Sequence, residues 1–194
     1  MKKAKLKNFV SVEAGISKSK IEARCSTILN DYYDIEAFQE DYFMIELIAN
    51  EKQKEKNKEF LLKLGDVVIN VSTHLAAIVS QKNVGKIFTN NFIRVRFTNV
   101  SLDSGYFLYL FNSYSEVKRQ KLREVQGTNA SQRIPIKSLE ELEIPILPLE
   151  TQRVIAKAYA QSVQLQKKLK DYGEHLEQMT SLILEENMAN FLEE

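Results

Sequence analysis

The sequence predicts an α+β fold: one globular mixed α/β domain followed by one long C-terminal α-helix. Three observations carry this. β-Branched apolar runs bounded by turn residues lie in the middle of the chain, as at Val67, Val68, Ile69 and Val71. Segments with helical apolar spacing, such as Tyr106, Phe107, Leu110 and Phe111, stand among them. From Leu149 onward the chain holds one helical pattern with no proline and a single glycine, Gly173. The expected division is a globular domain over residues 1–148 and a long helix over residues 149–194.

The helix is written most strongly. Pro148 stands where a helix start tolerates it, and Glu150 and Thr151 follow in the first turn, where an acid suits the positive end of the dipole. Ile155, Ala158, Ser162, Leu165, Leu169, Tyr172, Leu176, Met179 and Ile183 are spaced alternately by three and four, a heptad seam. After Ile183 the register shifts, and Leu184, Met188 and Phe191 continue the stripe as a stutter would. At the standard rise such a helix is on the order of 60 Å long. One small domain does not cover that length, so part of the seam is expected to pair with another helix as a coiled coil. Leu165, Leu169, Tyr172, Leu176 and Met179 are the candidate dimerisation residues. The alternative is an amphipathic helix lying on its own domain.

Charge is balanced in sum and uneven in place. Lys plus Arg number 27 and Asp plus Glu 26. From Lys86 to Lys137 nine cations face three acids, a net of +6; from Glu150 to Glu194 five cations face eight acids, a net of −3. The middle of the chain is therefore the candidate for a polyanionic partner, and the helix is not. A solvated face would carry the same charges. The single Cys25 excludes an intramolecular disulfide and any cysteine-based metal site. No apolar run approaches the ~18 residues of a membrane span. The basic Met1–Lys7 stretch is not followed by the apolar core of a signal peptide. A cytoplasmic location is expected.

In chain order, Leu6, Phe9, Val10 and Val12 supply a short apolar element that Gly15 ends. Ile45, Leu47 and Ile48 fit the end of a strand or a short helix. Glu51–Glu59 is a charged run expected to be an exposed loop or the polar stretch of a helix. Gly65-Asp66 is a turn, Val67–Val71 a buried strand, Ser72-Thr73-His74 the next turn, and Ala76–Val79 a second strand. Ile87–Phe97 alternates and reads as a half-exposed strand with Arg94 and Arg96 pointing outward. Asp103 or Ser104 is placed to cap the helix that follows, and a second short helix spans Ser115–Leu122. The loop Val125–Arg133 combines a glycine, hydroxyls, amides and an arginine, a set that can meet base edges and phosphates or simply water. Leu139–Pro148 reads as a proline-punctuated strand.

These residues also carry a resemblance. The segments Lys5-Leu6 with Gly15, Leu64–Ile69, Asn91–Arg96, Tyr106–Ser113 and the closing block Gln126-Gly127, Ile134-Pro135-Ile136 and Leu142–Gln152 with Ile155-Ala156 resemble the specificity subunits of type I restriction–modification enzymes. The ordered series ending in Ile144-Pro145-Ile146-Leu147-Pro148-Leu149-Glu150-Thr151-Gln152 before a long helix is its most specific part. The resemblance implies target recognition domains joined by long antiparallel helices, each domain reading one half of an interrupted DNA sequence. This chain has one such domain and one helix, so it looks like half a subunit. Pairing of two copies through the helix would rebuild the whole and read an interrupted palindrome.

On that resemblance the partners are double-stranded DNA, a modification (methyltransferase) subunit and a restriction subunit, which would hold the S-adenosylmethionine and ATP chemistry. No cofactor or metal is implied for this chain, and it is expected not to be an enzyme. His74 and His175 are far apart in sequence, Cys25 is alone, and no Gly-rich phosphate loop occurs. The candidate DNA-binding residues are Arg119, Lys121, Arg123, Asn129, Gln132 and Arg133, followed by Thr73, His74, Lys82, Lys86, Arg94 and Arg96. Two rival readings stand beside this one. The first is a non-DNA interaction module docking through its helix. The second is a truncated or regulatory relative that binds the modification subunit without directing methylation.

Overall fold

The computed structural model describes residues 3–24, 31–47, 60–126 and 133–192. At its centre four antiparallel strands pair in the order β2 (Val10–Ala14), β7 (Phe92–Phe97), β4 (Val67–Asn70), β5 (Ala76–Ile78). The register aligns Val12 with Val95 and Val67 with both Val95 and Ile78. Two small sheets flank it. β1 (Lys3–Lys5) pairs antiparallel with β8 (Glu143–Pro145), and β3 (Tyr32–Tyr33) pairs parallel with β6 (Ile87–Phe88).

Helices cover both faces of the central sheet. On one face Val67, Ile69, Ile78, Ile93 and Val95 pack with Tyr106, Phe107, Leu110 and Phe111 of α3 (Ser104–Asn112). On the other, Val68, Ala77, Val79 and Phe92 meet Tyr33 and the Ala37 and Phe38 side chains of α2 (Ile35–Phe43). This double cover is why β4 and β5 read as continuous apolar runs rather than alternating ones. Asp34 and Asp103 cap α2 and α3, each carboxylate accepting from the backbone N–H three residues on. Buried Asp41 of α2 ties its helix to the sheet by accepting from the Tyr33 hydroxyl, the Ser80 amide and the Asn83 side chain.

Several expectations are corrected. β7 is a central strand, not a half-exposed one, and Arg94 is 2% exposed. It points inward because partners are waiting for it: Glu13 stands directly across in the register, Asp66 lies 3.7 Å away, the Leu61 carbonyl accepts from it, and the Phe88 ring lies beneath it. The stretch 139–148 is only partly strand; α5 (Ile136–Glu140) precedes the three residues of β8. Ile45 and Leu47 follow α2 rather than forming an element. α1 (Lys18–Arg24) and α2 had no clear periodicity to announce them. The helix α4 (Ser115–Glu124) runs two residues beyond its predicted end. Cys25, Ile48 and the 51–59 run lie outside the described residues.

The C-terminal helix α6 spans Leu149–Leu192. Its first turns are fixed to the domain by Gln152, which is fully buried. The Gln152 side chain accepts from the Asp103 amide and donates to the carbonyls of Ser101 and Leu147. Ala156, Ala160 and Val163 continue this buried stripe, and the Tyr159 hydroxyl accepts from Asn112. The predicted seam is a different stripe: Leu165, Leu169, Tyr172, Leu176 and Met179 are each 57–67% exposed. Lying on its own domain therefore describes the first part of α6 only. No described helix is long and apolar enough to cross a membrane.

Candidate nucleic-acid interface

The β4–β5 turn is held in an unusual shape. The Asn70 side chain accepts from the amides of Ser72 and Thr73, and the Asn70 carbonyl accepts from the His74 amide. His74 takes φ 54°, in the left-handed region that non-glycine residues seldom occupy. Its carbonyl accepts from the Lys121 ammonium at 2.8 Å. Lys121 reaches it from α4 and also donates to the Phe111 carbonyl at 2.6 Å, at the C-terminal end of α3, over the Phe111 ring. One buried lysine thus joins α3, α4 and the turn.

Beyond α4, Gln126 and Arg133 exchange backbone hydrogen bonds of 2.9 Å. Ile134 lines a small apolar pocket with His74, Ile69 and Leu139. Thr73, the outer face of α4 and Arg133 are exposed. The structure brings Lys121 to His74, with Thr73 beside it in the turn; Arg119 and Arg123 stand on the exposed face of α4, and Arg133 is exposed next to Ile134. Asn129 and Gln132 lie outside the described residues. Arg123 and Arg133 offer guanidinium forks, Thr73 a hydroxyl and His74 an imidazole, groups able to meet phosphates and base edges. Arg119 is 60% exposed at its side chain and pairs with Glu116 one turn earlier.

Other predicted residues are elsewhere or are engaged in the fold. Lys82 pairs with Glu40 of α2, on the far face of the sheet from α3. Lys86 is half-buried just before β6. Arg96 pairs with Glu13 at 2.9 Å, and Arg94 is buried as described. Burial alone would raise the pKa of Glu13, but the hydrogen bonds and charges of Arg94 and Arg96 outweigh it and hold that carboxyl below its ordinary value. Lys121 is 6% exposed, and its amine is pushed down to about 8 by burial and then by the nearby Lys118. Strand alternation predicts an outward Arg94, and Lys121 is a candidate DNA contact; both cations are internal because buried acceptors outcompete water for them.

Sequence reading missed the amides that build this corner. Asn70 shapes the turn. Gln120 of α4 binds the Glu143 backbone through both its oxygen and its nitrogen, and Asn112 does the same at Ala76. Uncharged amides carry no periodic signal; only their position at an element end hinted at Asn112. Among the described residues no group of His, Cys, Asp and Glu is placed to hold a metal ion.

Comparison with known proteins agrees with this architecture. The HsdS subunit from Thermoanaerobacter tengcongensis is 18% identical, with a TM-score of 0.51 over 85% of this chain and 37% of that one. A structure titled for complex assembly and conformational transition of the type I R-M system is 19% identical, with a TM-score of 0.52 over 85% of this chain and 38% of that one. The chain thus spans well under half the length of either, and at these identities the likeness is one of fold. No curated protein matches the chain. The family comparison goes further: residues 1–172, which take in the sheets, the Lys121 corner and the first half of α6, match the type I restriction modification DNA specificity domain, and the chain belongs to that family.

Proposed function

We propose that this chain is the DNA-reading part of a type I restriction–modification system, a half-length specificity subunit that pairs through α6 with a second copy. The observation that carries the reading is the family match over residues 1–172. Specificity subunits of such systems are non-catalytic and serve modification and restriction subunits on DNA. On this reading residues 1–148 recognise DNA and residues 149–194 set the distance to the second reader. Two copies related by a two-fold axis present the same reader in opposite senses, so the site is an interrupted palindrome. Such a protein works in the cytoplasm, where the DNA is.

The corner around His74 supports the same reading. Arg123 and Arg133 would neutralise phosphates, which makes affinity fall with salt. Thr73 and His74, on a turn braced by Asn70 and Lys121, would meet base edges. Arg123→Ala and Arg133→Ala should each lower the salt slope of DNA binding by about one. Thr73→Ala should instead change which sequence is preferred.

The decisive experiment is a methylation map. The chain is expressed with its modification subunit in a methylation-free host, and the genome is sequenced for modified adenines. An interrupted palindrome is expected. An asymmetric interrupted site would replace the second copy with a different half-subunit. A stable complex with the modification subunit but no methylation would overturn the reading in favour of a regulatory relative, and no salt-dependent DNA binding at all would favour a plain interaction module.

A further inference from the structure

We infer that Lys121 is a positioning residue for DNA reading: from inside the fold its ammonium, through the His74 carbonyl, fixes the backbone shape in which Thr73 and His74 are presented to DNA. This rests on the reading of that turn as a base contact and adds what sets its shape. The backbone carries the first part of the argument. Among the described residues His74 is the only one other than glycine with a positive φ. That conformation is costly for a residue with a Cβ, and it persists where the surroundings impose it. A glycine would sit there without strain, yet the chain carries an imidazole at the position.

The second part is the buried charge. The Lys121 ammonium donates to the His74 carbonyl at 2.8 Å and to the Phe111 carbonyl at 2.6 Å, and the Phe111 ring lies 3.9 Å away. Among the described residues the charge that acts on it, Lys118 of the same helix, has the same sign. Burying a cation without a counter-charge is costly. Packing of α4 does not need it, because Val117, one turn earlier on the same face, is buried in the apolar core. A methionine at 121 would simply continue that face. The charge goes instead to two carbonyls, one at the end of α3 and one in an exposed turn.

Two restraints therefore meet at His74, and they do different things. Asn70 accepts from the amides of Ser72 and Thr73 and shapes the turn from within. Lys121 ties the turn to α3 and α4 and so sets its place in the domain. The exposed cations Lys118, Arg119 and Arg123 stand on the same helix as Lys121. One side chain thus holds the turn at a fixed offset from a row of cations. Phosphate contacts set register on a duplex, and base contacts discriminate only when held at the right distance from them. Without the Lys121 ammonium the cations of α4 would still meet phosphates, but the turn would no longer be held in register with them.

The test uses the full chain with its modification subunit and, as probe, a library of duplexes of randomised sequence. Two quantities are read: the enrichment of the most favoured sequences over the library mean, and the salt slope of binding to the unselected library. Lys121→Met should lower the enrichment by about tenfold or more, the loss of one well-placed base contact, and leave the salt slope as it is. A loss of folded protein would lower binding to all sequences alike and would not change their ratio. A salt slope reduced by about one, with the same sequences enriched, would make Lys121 a phosphate contact and overturn the inference. Thr73→Ala and His74→Gly, the second of which suits the left-handed backbone, separate the inference from the reading beneath it. If either changes the enriched sequences and Lys121→Met does not, the inference falls and the reading of the turn stands. If neither does, the reading of the turn falls and takes the inference with it. Should Lys121→Met fail to fold, amide exchange in the unaltered chain decides. The Thr73 and His74 amides, both bonded to Asn70, should be protected before DNA is added and change little on adding a duplex of enriched sequence. Free exchange until DNA is added would mean that DNA orders the turn, and that overturns the inference.

Discussion

The two halves of α6 are one continuous helix with opposite relations to the rest of the molecule. In the first half Gln152 satisfies three backbone groups of the domain, and Ala156, Ala160 and Val163 are buried. In the second half Leu165, Leu169, Tyr172, Leu176 and Met179 stand in solvent. Helix propensity does not separate the halves. What differs is the face presented: small side chains and an amide against α3, then large apolar side chains toward solvent. The first half is stabilised by its own domain, and the second exposes an apolar stripe of the kind that marks an interaction surface. Changes in the first should therefore alter folding and spare assembly, and changes in the second the reverse.

The largest effect expected is on assembly. Leu169→Glu combined with Leu176→Glu puts four charges into the paired seam and should weaken self-association by more than about 100-fold, read by analytical ultracentrifugation. The urea midpoint of the domain should stay put; a fall in it would break the comparison, because it would mean that the distal stripe stabilises the fold. Gln152→Ala is the mirror case. It leaves the Asp103 amide and two carbonyls without their partner and should cost about 2–4 kcal/mol of stability by urea unfolding. Self-association of the folded fraction should be unchanged.

Two pH effects sharpen the stability side. The Lys121 amine sits near 8 in the folded chain, below its ordinary 10.5, because burial disfavours its charge. Between those values the unfolded chain holds a proton that the folded chain has shed, so this group makes stability rise as pH increases across the window. Lys121→Met should flatten that rise, and at pH 7 it should loosen the His74 turn, visible as faster amide exchange at Thr73 and His74. The smallest effect is at Glu141. Hydrogen bonds from Lys5 and Lys7 hold its carboxyl down to about 2, which ties the first strand to the end of α5. That tie is present above the ordinary carboxylate range and is lost as pH falls toward 2. Glu141→Gln should slightly reduce acid sensitivity in this range, and because the pair is exposed, salt should mask the difference.

Elements with strong local periodicity could be read from neighbouring residues alone. The long helix from Leu149, its exposed seam, and the β4 and β5 strands around the Thr73–His74 turn were legible, because spacing and turn chemistry are properties of neighbouring residues; the α3 cap was narrowed to Asp103 or Ser104, and the structure assigns it to Asp103. α1 and α2 were not, since their apolar residues follow no clean period, and neither was the short α5 before β8. Folding decided which cations are buried. Arg94 and Lys121 read like Arg123 and Arg133 in the sequence. Glu13 and Asp66 draw Arg94 inward, while the carbonyls of Phe111 and His74 draw Lys121. Those acceptors are 10 to 81 residues away along the chain, and only folding brings them within reach. It also decided where the helix meets the domain, because a buried amide such as Gln152 is recognised by the backbone groups it satisfies, and these exist as a site only once the chain has closed around it.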